Sequence, residues 1–171
     1  MKYIQKHCLT WVLCISFFAA FAVSCSAPGG SKEMETEKVA VDFANQLTKG
    51  GYKTVTTDEL KKWIDAKKDM LIVDTMPYED SYKKQHIPGA VQFEFPVKEV
   101  TNLDDKTKAE YEKLLGPDKN RLIVVYCGFT KCGRSHNGAM WAVKMGYQNV
   151  YRYPGGIRAW TEAHYPVQPA K

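Results

Sequence analysis

The chain has 171 residues, 44% of them hydrophobic and 25% charged, with a formal net charge of +5 and a pI near 8.8. This length is enough for one domain with a proper core. The basic residues are interspersed with acids, as in Lys61, Lys62, Asp65, Lys67, Lys68 and Asp69. That is the pattern of a solvated face and argues against a nucleic-acid partner.

At the N-terminus, Lys2 and Lys6 precede an apolar run, Cys8 to Val23, broken only by Thr10 and Ser16 and ending in small residues. This is the charged n-region and apolar h-region of a secretory signal; a bilayer span needs about 20 apolar residues, and the run is shorter. Ala22-Val23-Ser24-Cys25 resembles a bacterial lipoprotein signal, in which cleavage leaves Cys25 N-terminal and acylated; an ordinary signal cleaved nearby would leave Cys25 free. The expected organisation is a signal peptide over 1–24, a tether over 25–38, a helical extension over 39–51 and one domain over 52–168. Within the tether, Ser26 to Lys32 (SAPGGSK) has a flexible composition. The chain is expected to be exported to the cell envelope, anchored to a membrane by its N-terminal lipid and facing the periplasm or the cell exterior. Cys8 and Cys14 then leave with the signal and Cys25 carries lipid, so Cys127 and Cys132 remain, too few for a disulfide framework.

Glu33 to Lys49 reads as a helix, with Ala40, Phe43, Ala44 and Leu47 on one face and Gly50-Gly51 as its stop. Tyr52 to Thr56 is a short strand. Thr56-Thr57-Asp58-Glu59 is a capping box, followed by a helix with Leu60, Trp63 and Ile64 as its apolar stripe. Leu71 to Val73 is a buried strand with Asp74 at its carboxyl end. Tyr78 to Gln85 is a short helix that leads into the turn at Pro88-Gly89, and Val91 to Phe95 is a half-exposed strand. Asp104 to Leu115 is a helix closed by Gly116-Pro117. Val150 to Tyr153 is a last strand, and Ile157 to Ala163 a short helix after Gly155-Gly156. Strands alternating with helices predict a mostly parallel sheet covered on both faces.

Between these lies LIVVYCGFTKCGRS, Leu122 to Ser135. Leu122 to Tyr126 is a β-branched run without polar alternation, a central strand. It ends at Cys127; Gly128 and Gly133 bracket a loop, Ser135 caps the next helix, and Ala139, Ala142 and Val143 are its apolar residues, with Gly146 closing it. A loop that runs into a helix N-terminus directs backbone N–H groups at one point, where the helix dipole adds positive charge. A thiol there ionises more readily and becomes a nucleophile. Lys131 and Arg134 place cationic charge nearby. The bland alternative is a buried, inert cysteine at a strand end.

Three segments together resemble the rhodanese family of sulfurtransferases: LIVDTMPYEDSYKKQHIPGAVQFEFP (71 to 96), VVYC with its loop (124 to 134) and GYQNVYRYPGGIRAW (146 to 160). The resemblance covers about Tyr52 to Tyr165. It implies a three-layer α/β domain with a central, mostly parallel five-stranded sheet and a catalytic cysteine at Cys127. It also implies two half-reactions, in which the Cys127 thiolate takes the outer sulfur of thiosulfate or a related donor and the persulfide gives it to a thiophilic acceptor. That acceptor would be a small thiol or a protein. The loop Gly128, Phe129, Thr130, Lys131, Cys132, Gly133 and Arg134 would bind substrate through its N–H groups and cations, with no cofactor.

The chain departs from the family pattern where Cys132 holds the position, five residues after Cys127, at which an arginine is usual; Arg134-Ser135 come two residues later, and no arginine follows Asp74. Three roles are open to Cys132: a resolving thiol, a loop residue supplying only its N–H, or the partner of Cys127 in an inactive oxidised form. Cys127, Cys132 and His136 do not match a zinc spacing, and no metal is expected. His86 is read as structural, bonding backbone near Asp74; His136 is placed on the first turn of the catalytic helix, and Trp141 and Trp160 in the core. Two other functions are compatible with the sequence. One is a phosphatase or arsenate reductase, with Arg134 clamping a tetrahedral oxyanion. The other is a persulfide carrier or redox partner using Cys127 and Cys132 without small-molecule turnover.

Overall fold

The computed structural model describes residues 30–170. The signal segment 1–24, the lipidation site Cys25 and tether residues 25–29 lie outside them. Helix α1 (Gly30–Gly50) starts well before residue 39, so the expected tether is overturned from residue 30 onward. Apart from Thr36, Lys32 to Lys38 is made of residues that lose little freedom in a helix, and Lys38 pairs with Asp42 one turn on. The inward face of α1 is also shifted from the expected one. Val39, Phe43, Gln46 and Leu47 are half-buried, whereas Ala40 and Ala44 are exposed.

Five strands form one sheet in the order β1-β5-β4-β2-β3, and every neighbouring pair is parallel. They are β1 (Lys53–Thr54), β2 (Leu71–Asp74), β3 (Val91–Gln92), β4 (Leu122–Tyr126) and β5 (Asn149–Tyr153). The two edge strands are shorter than expected. Thr56 ends the first because it turns to cap helix α2 (Thr57–Asp65), where the capping box forms with Glu59. Phe93 and Phe95 leave the second but still donate to the carbonyls of Asp74 and Thr75. Residues Tyr78–Tyr82 make a single π-helical turn where a longer helix was expected.

The helices cover the sheet as the alternation of elements requires. On one face, α1, α3 (Asp105–Leu115) and α4 (Arg134–Lys144) pack Leu47, Tyr111, Leu115, Ala139 and Met140 against Val73, Ile123, Val125 and Val150. On the other, α2 and α5 (Gly156–Glu162) pack Leu60 and Trp160 against Ile72, Val124 and Tyr126. The last four residues of β4, Ile123 to Tyr126, are fully buried, the signature of a central strand covered on both sides. Trp141 and Trp160 are core residues, their indole N–H groups donating to the carbonyls of Val100 and Pro166. Burial on this scale positions the carboxyl end of β4 rigidly, and parallel sheets bind ligands at that edge. No helix among the described residues is long and apolar enough to cross a membrane.

Candidate active site

Cys127 follows β4 directly and is 1% exposed. Its sulfur lies 3.1 Å from Ser135 Oγ and 3.4 Å from the Cys132 carbonyl oxygen. Ser135 does not cap α4 as expected. The cap is Gly133, without a side-chain bond, and Ser135 sits buried in the first turn with its hydroxyl turned inward between Cys127 and Arg152.

The loop is fixed from outside by its carbonyls. Ile157 and Arg158, in the first turn of α5, donate their N–H groups to the carbonyls of Cys127 and Gly128 at 2.9 and 3.0 Å. Arg152 donates to the carbonyls of Thr130 and Cys132 at 3.3 and 3.1 Å. The Cys132 carbonyl that Arg152 holds also lies against the Cys127 thiol, as does that of Phe129 at 3.8 Å.

The two thiols interact strongly. Burial pushes Cys127 well up, with the neighbouring Cys132 adding to the effect. Cys132 is pulled down to about 6, chiefly by the Cys127 thiol beside it, then by the N–H groups of Arg134 and Gly128 and the Arg134 charge. The two thiols therefore titrate as one coupled pair, whose first ionisation is favoured over its second. Both cysteines are free thiols.

A buried cation that the sequence did not single out holds the loop from β5. Arg152 is fully buried on β5; its Nε donates to Ser135 Oγ at 2.9 Å and its NH1 to Gln46 and Tyr52. Among the described residues no carboxylate pairs with it. Its signal was a lone charge in Val150-Tyr151-Arg152-Tyr153, on the same strand face as buried Val150. The two cations expected at the site point elsewhere. Lys131 pairs with Glu35 on α1, and Arg134 bonds Glu94 and the carbonyl of Phe95, although its charge still reaches Cys132. Thr130 contributes only its carbonyl, Phe129 is exposed beneath the Arg158 guanidinium, and Gly128 and Gly133 make the loop's close approaches to Met76 and Val97.

His136 faces Tyr52, whose hydroxyl is 2.8 Å from Nδ1, rather than Cys127; burial and the Arg152 charge hold it down at about 4, so it is neutral at pH 7. His86 is structural as expected but bonds the carbonyl of Tyr82 and the side chain of Gln168, stacked on the Tyr82 ring. Asp74 is fully buried beside the loop, with Oδ1 accepting the Met76 N–H, and burial raises it to about 6. Its folded state therefore holds the proton more tightly than the unfolded chain does. The stability this contributes is complete below the unfolded value of about 4 and is lost as pH rises through 6. Asp74→Asn is accordingly expected to raise Tm by roughly 3–8 °C at pH 8 and to leave it nearly unchanged at pH 4, as thermal unfolding at the two pH values would show.

A family model described as the rhodanese-like domain matches residues 56–163. The chain is similar to a thiosulfate sulfurtransferase, GlpE, of Coxiella burnetii, 28% identical over 119 residues that make up 70% of this chain and 95% of the relative. Among solved structures it resembles the BH2092 protein of Bacillus halodurans, at 18% identity and a TM-score of 0.54, covering 78% of this chain and 86% of that one. It also resembles a thiosulfate sulfurtransferase from Pseudomonas aeruginosa, at 18% identity and a TM-score of 0.59, covering 78% of this chain and 23% of that one. Likeness at such identities speaks for the fold alone. The family match extends from the α2 cap to the end of α5 and takes in the whole cysteine loop, and the chain belongs to the rhodanese-like domain family.

Proposed function

We propose that the protein is a sulfurtransferase that moves a sulfane sulfur from thiosulfate or a related donor to a thiophilic acceptor through a persulfide on Cys127. The observation that carries this reading is a buried cysteine at the end of the central strand, in a loop whose carbonyls are held by Ile157, Arg158 and a buried Arg152 that pairs with no carboxylate among the described residues. As Cys127 attacks, its proton passes to Cys132, with which it shares one ionisation. The bond from donor sulfur to sulfite breaks, and the persulfide anion takes over the charge that the loop and Arg152 favour. Once Cys127 is ionised, the Ser135 hydroxyl donates to it, because Arg152 Nε–H already occupies a lone pair of Ser135 Oγ.

The phosphatase reading needs room for a tetrahedral oxyanion and an arginine to clamp it. Here Arg134 is bonded to Glu94 and the Phe95 carbonyl, outside the loop, so the clamp that reading requires is engaged elsewhere. The test is sulfite formation from thiosulfate with an excess of a small thiol. Turnover is expected in the wild-type chain and a drop of at least 1,000-fold in Cys127→Ser, the scale for loss of a covalent nucleophile. Equal rates in the two would refute the assignment.

A further inference from the structure

We propose that Cys132 is the internal acceptor of the sulfur carried by Cys127, so that the protein converts a sulfane-sulfur donor and a dithiol reductant into hydrosulfide by way of a Cys127–Cys132 disulfide. This rests on the Cys127 persulfide described above. Three observations carry it. The Cys127 sulfur lies 3.4 Å from the carbonyl oxygen of Cys132, so the two cysteines meet across the loop, and neither is engaged in a disulfide. The Arg152 guanidinium donates both to the Cys132 carbonyl and to Ser135 Oγ, which stands 3.1 Å from Cys127 Sγ, so one buried side chain holds both cysteines at the same spot. Finally, Cys132 is 7% exposed against 1% for Cys127, so a reductant arriving from solvent meets Cys132 first.

The chemistry balances within the pair. Sulfur uptake leaves Cys127 as a persulfide anion and Cys132 as the thiol that accepted its proton. Cys132 then attacks Cys127 Sγ; the new bond joins the two side chains, and the bond to the outer sulfur breaks. That sulfur leaves with the electron pair and takes the Cys132 proton, so it departs as hydrosulfide. The outer sulfur is reduced and the two thiols are oxidised to the disulfide. A dithiol restores the pair by exchange: it attacks Cys132, releases the Cys127 thiolate, and closes its own disulfide. Ser135, beside the Cys127 sulfur, and Arg152, which donates to Ser135 Oγ, favour Cys127 as leaving group in that last step.

The test uses the full chain with Cys8, Cys14 and Cys25 changed to serine, reduced and handled without oxygen. One portion receives thiosulfate and another inorganic polysulfide; each is desalted and its intact mass measured. With Cys127 and Cys132 present, the chain is expected to return about 2 Da lighter than the reduced form. In the thiosulfate portion it also releases one sulfite and one hydrosulfide per chain. Cys132→Ser, and Cys132→Ala as a second variant, should instead keep about 32 Da on Cys127 and release no hydrosulfide. Persistence of the added sulfur when both cysteines are present would overturn the inference and leave the sulfurtransferase reading standing. Loading of Cys132 in a Cys127→Ser chain would overturn it too, since Cys132 would then be the nucleophile. If only polysulfide gives the disulfide in the one chain and the persulfide in the other, the inference holds and thiosulfate is excluded as the donor. No added sulfur and no disulfide from either donor would refute both readings.

Discussion

Arg152→Met is expected to raise the pH at which the thiol pair becomes reactive by one to two units and to lower sulfur uptake at pH 7 by roughly ten- to hundredfold. The guanidinium is fully buried and its bonds go to the carbonyls of Thr130 and Cys132, the hydroxyls of Ser135 and Tyr52, and the amide of Gln46. A buried cation without a carboxylate is costly unless an anion appears beside it. The anion here is the thiolate, and later the persulfide. Methionine keeps the length of the side chain but removes the charge, so the thiolate loses its counter-charge and thiol pKa values rise. At a fixed neutral pH the reactive fraction then falls. Arg152→Lys keeps the charge without the planar fork and should fall between the two, because an ammonium cannot reach Ser135 and both loop carbonyls together. The pH dependence of thiol alkylation reads the effect directly. A profile unmoved in Arg152→Met would mean that the residue only packs.

Gly156→Ala is expected to destabilise the domain by about 2–4 kcal/mol and to abolish sulfur transfer. Gly156 has φ +62 and opens α5 hard against the loop. A Cβ there would overlap the Cys127 carbonyl oxygen and lie 2.7 Å from the carbonyl carbon of Gly128. The contact is close because Ile157 and Arg158 must reach those two carbonyls with their N–H groups. A methyl group would push α5 away, release the carbonyls and let the N–H groups of the loop turn out. The left-handed backbone adds its own cost for any residue with a Cβ. Gly89, also at positive φ but with open space around it, is the control: alanine there should show the backbone cost alone. Chemical denaturation of the two variants separates the contributions. Equal losses of stability, with activity retained in Gly156→Ala, would contradict the account.

Much of the fold was legible because its signals are local. The apolar run of β4, the capping box at Thr56 and the glycines after α3 and α4 each carry their own physics, and the order of strands and helices left a parallel sheet as the natural arrangement. Cys127 was legible for the same reason, as a thiol where a buried strand meets a loop. The polar partners of the site were harder to read. Lys131 and Arg134 are near Cys127 in sequence, but their charges are drawn off by Glu35 and Glu94, which lie far along the chain. Ser135 has the residue type and position of a cap and serves the thiol instead, while Arg152 arrives from β5, Gln46 from α1 and Tyr52 from the link between α1 and β1. Nothing local distinguishes a buried strand arginine from an exposed one at an edge. What could be read was its anomaly, a charge in the middle of Val150 to Tyr153.

The most direct measurement is sulfite released when the reduced chain meets thiosulfate with no acceptor present. Covalent transfer predicts a rapid burst of one sulfite per chain that then stops, and no burst in Cys127→Ser. Sulfite that forms only when an acceptor is added would contradict a Cys127 persulfide and, with it, the function proposed for this site.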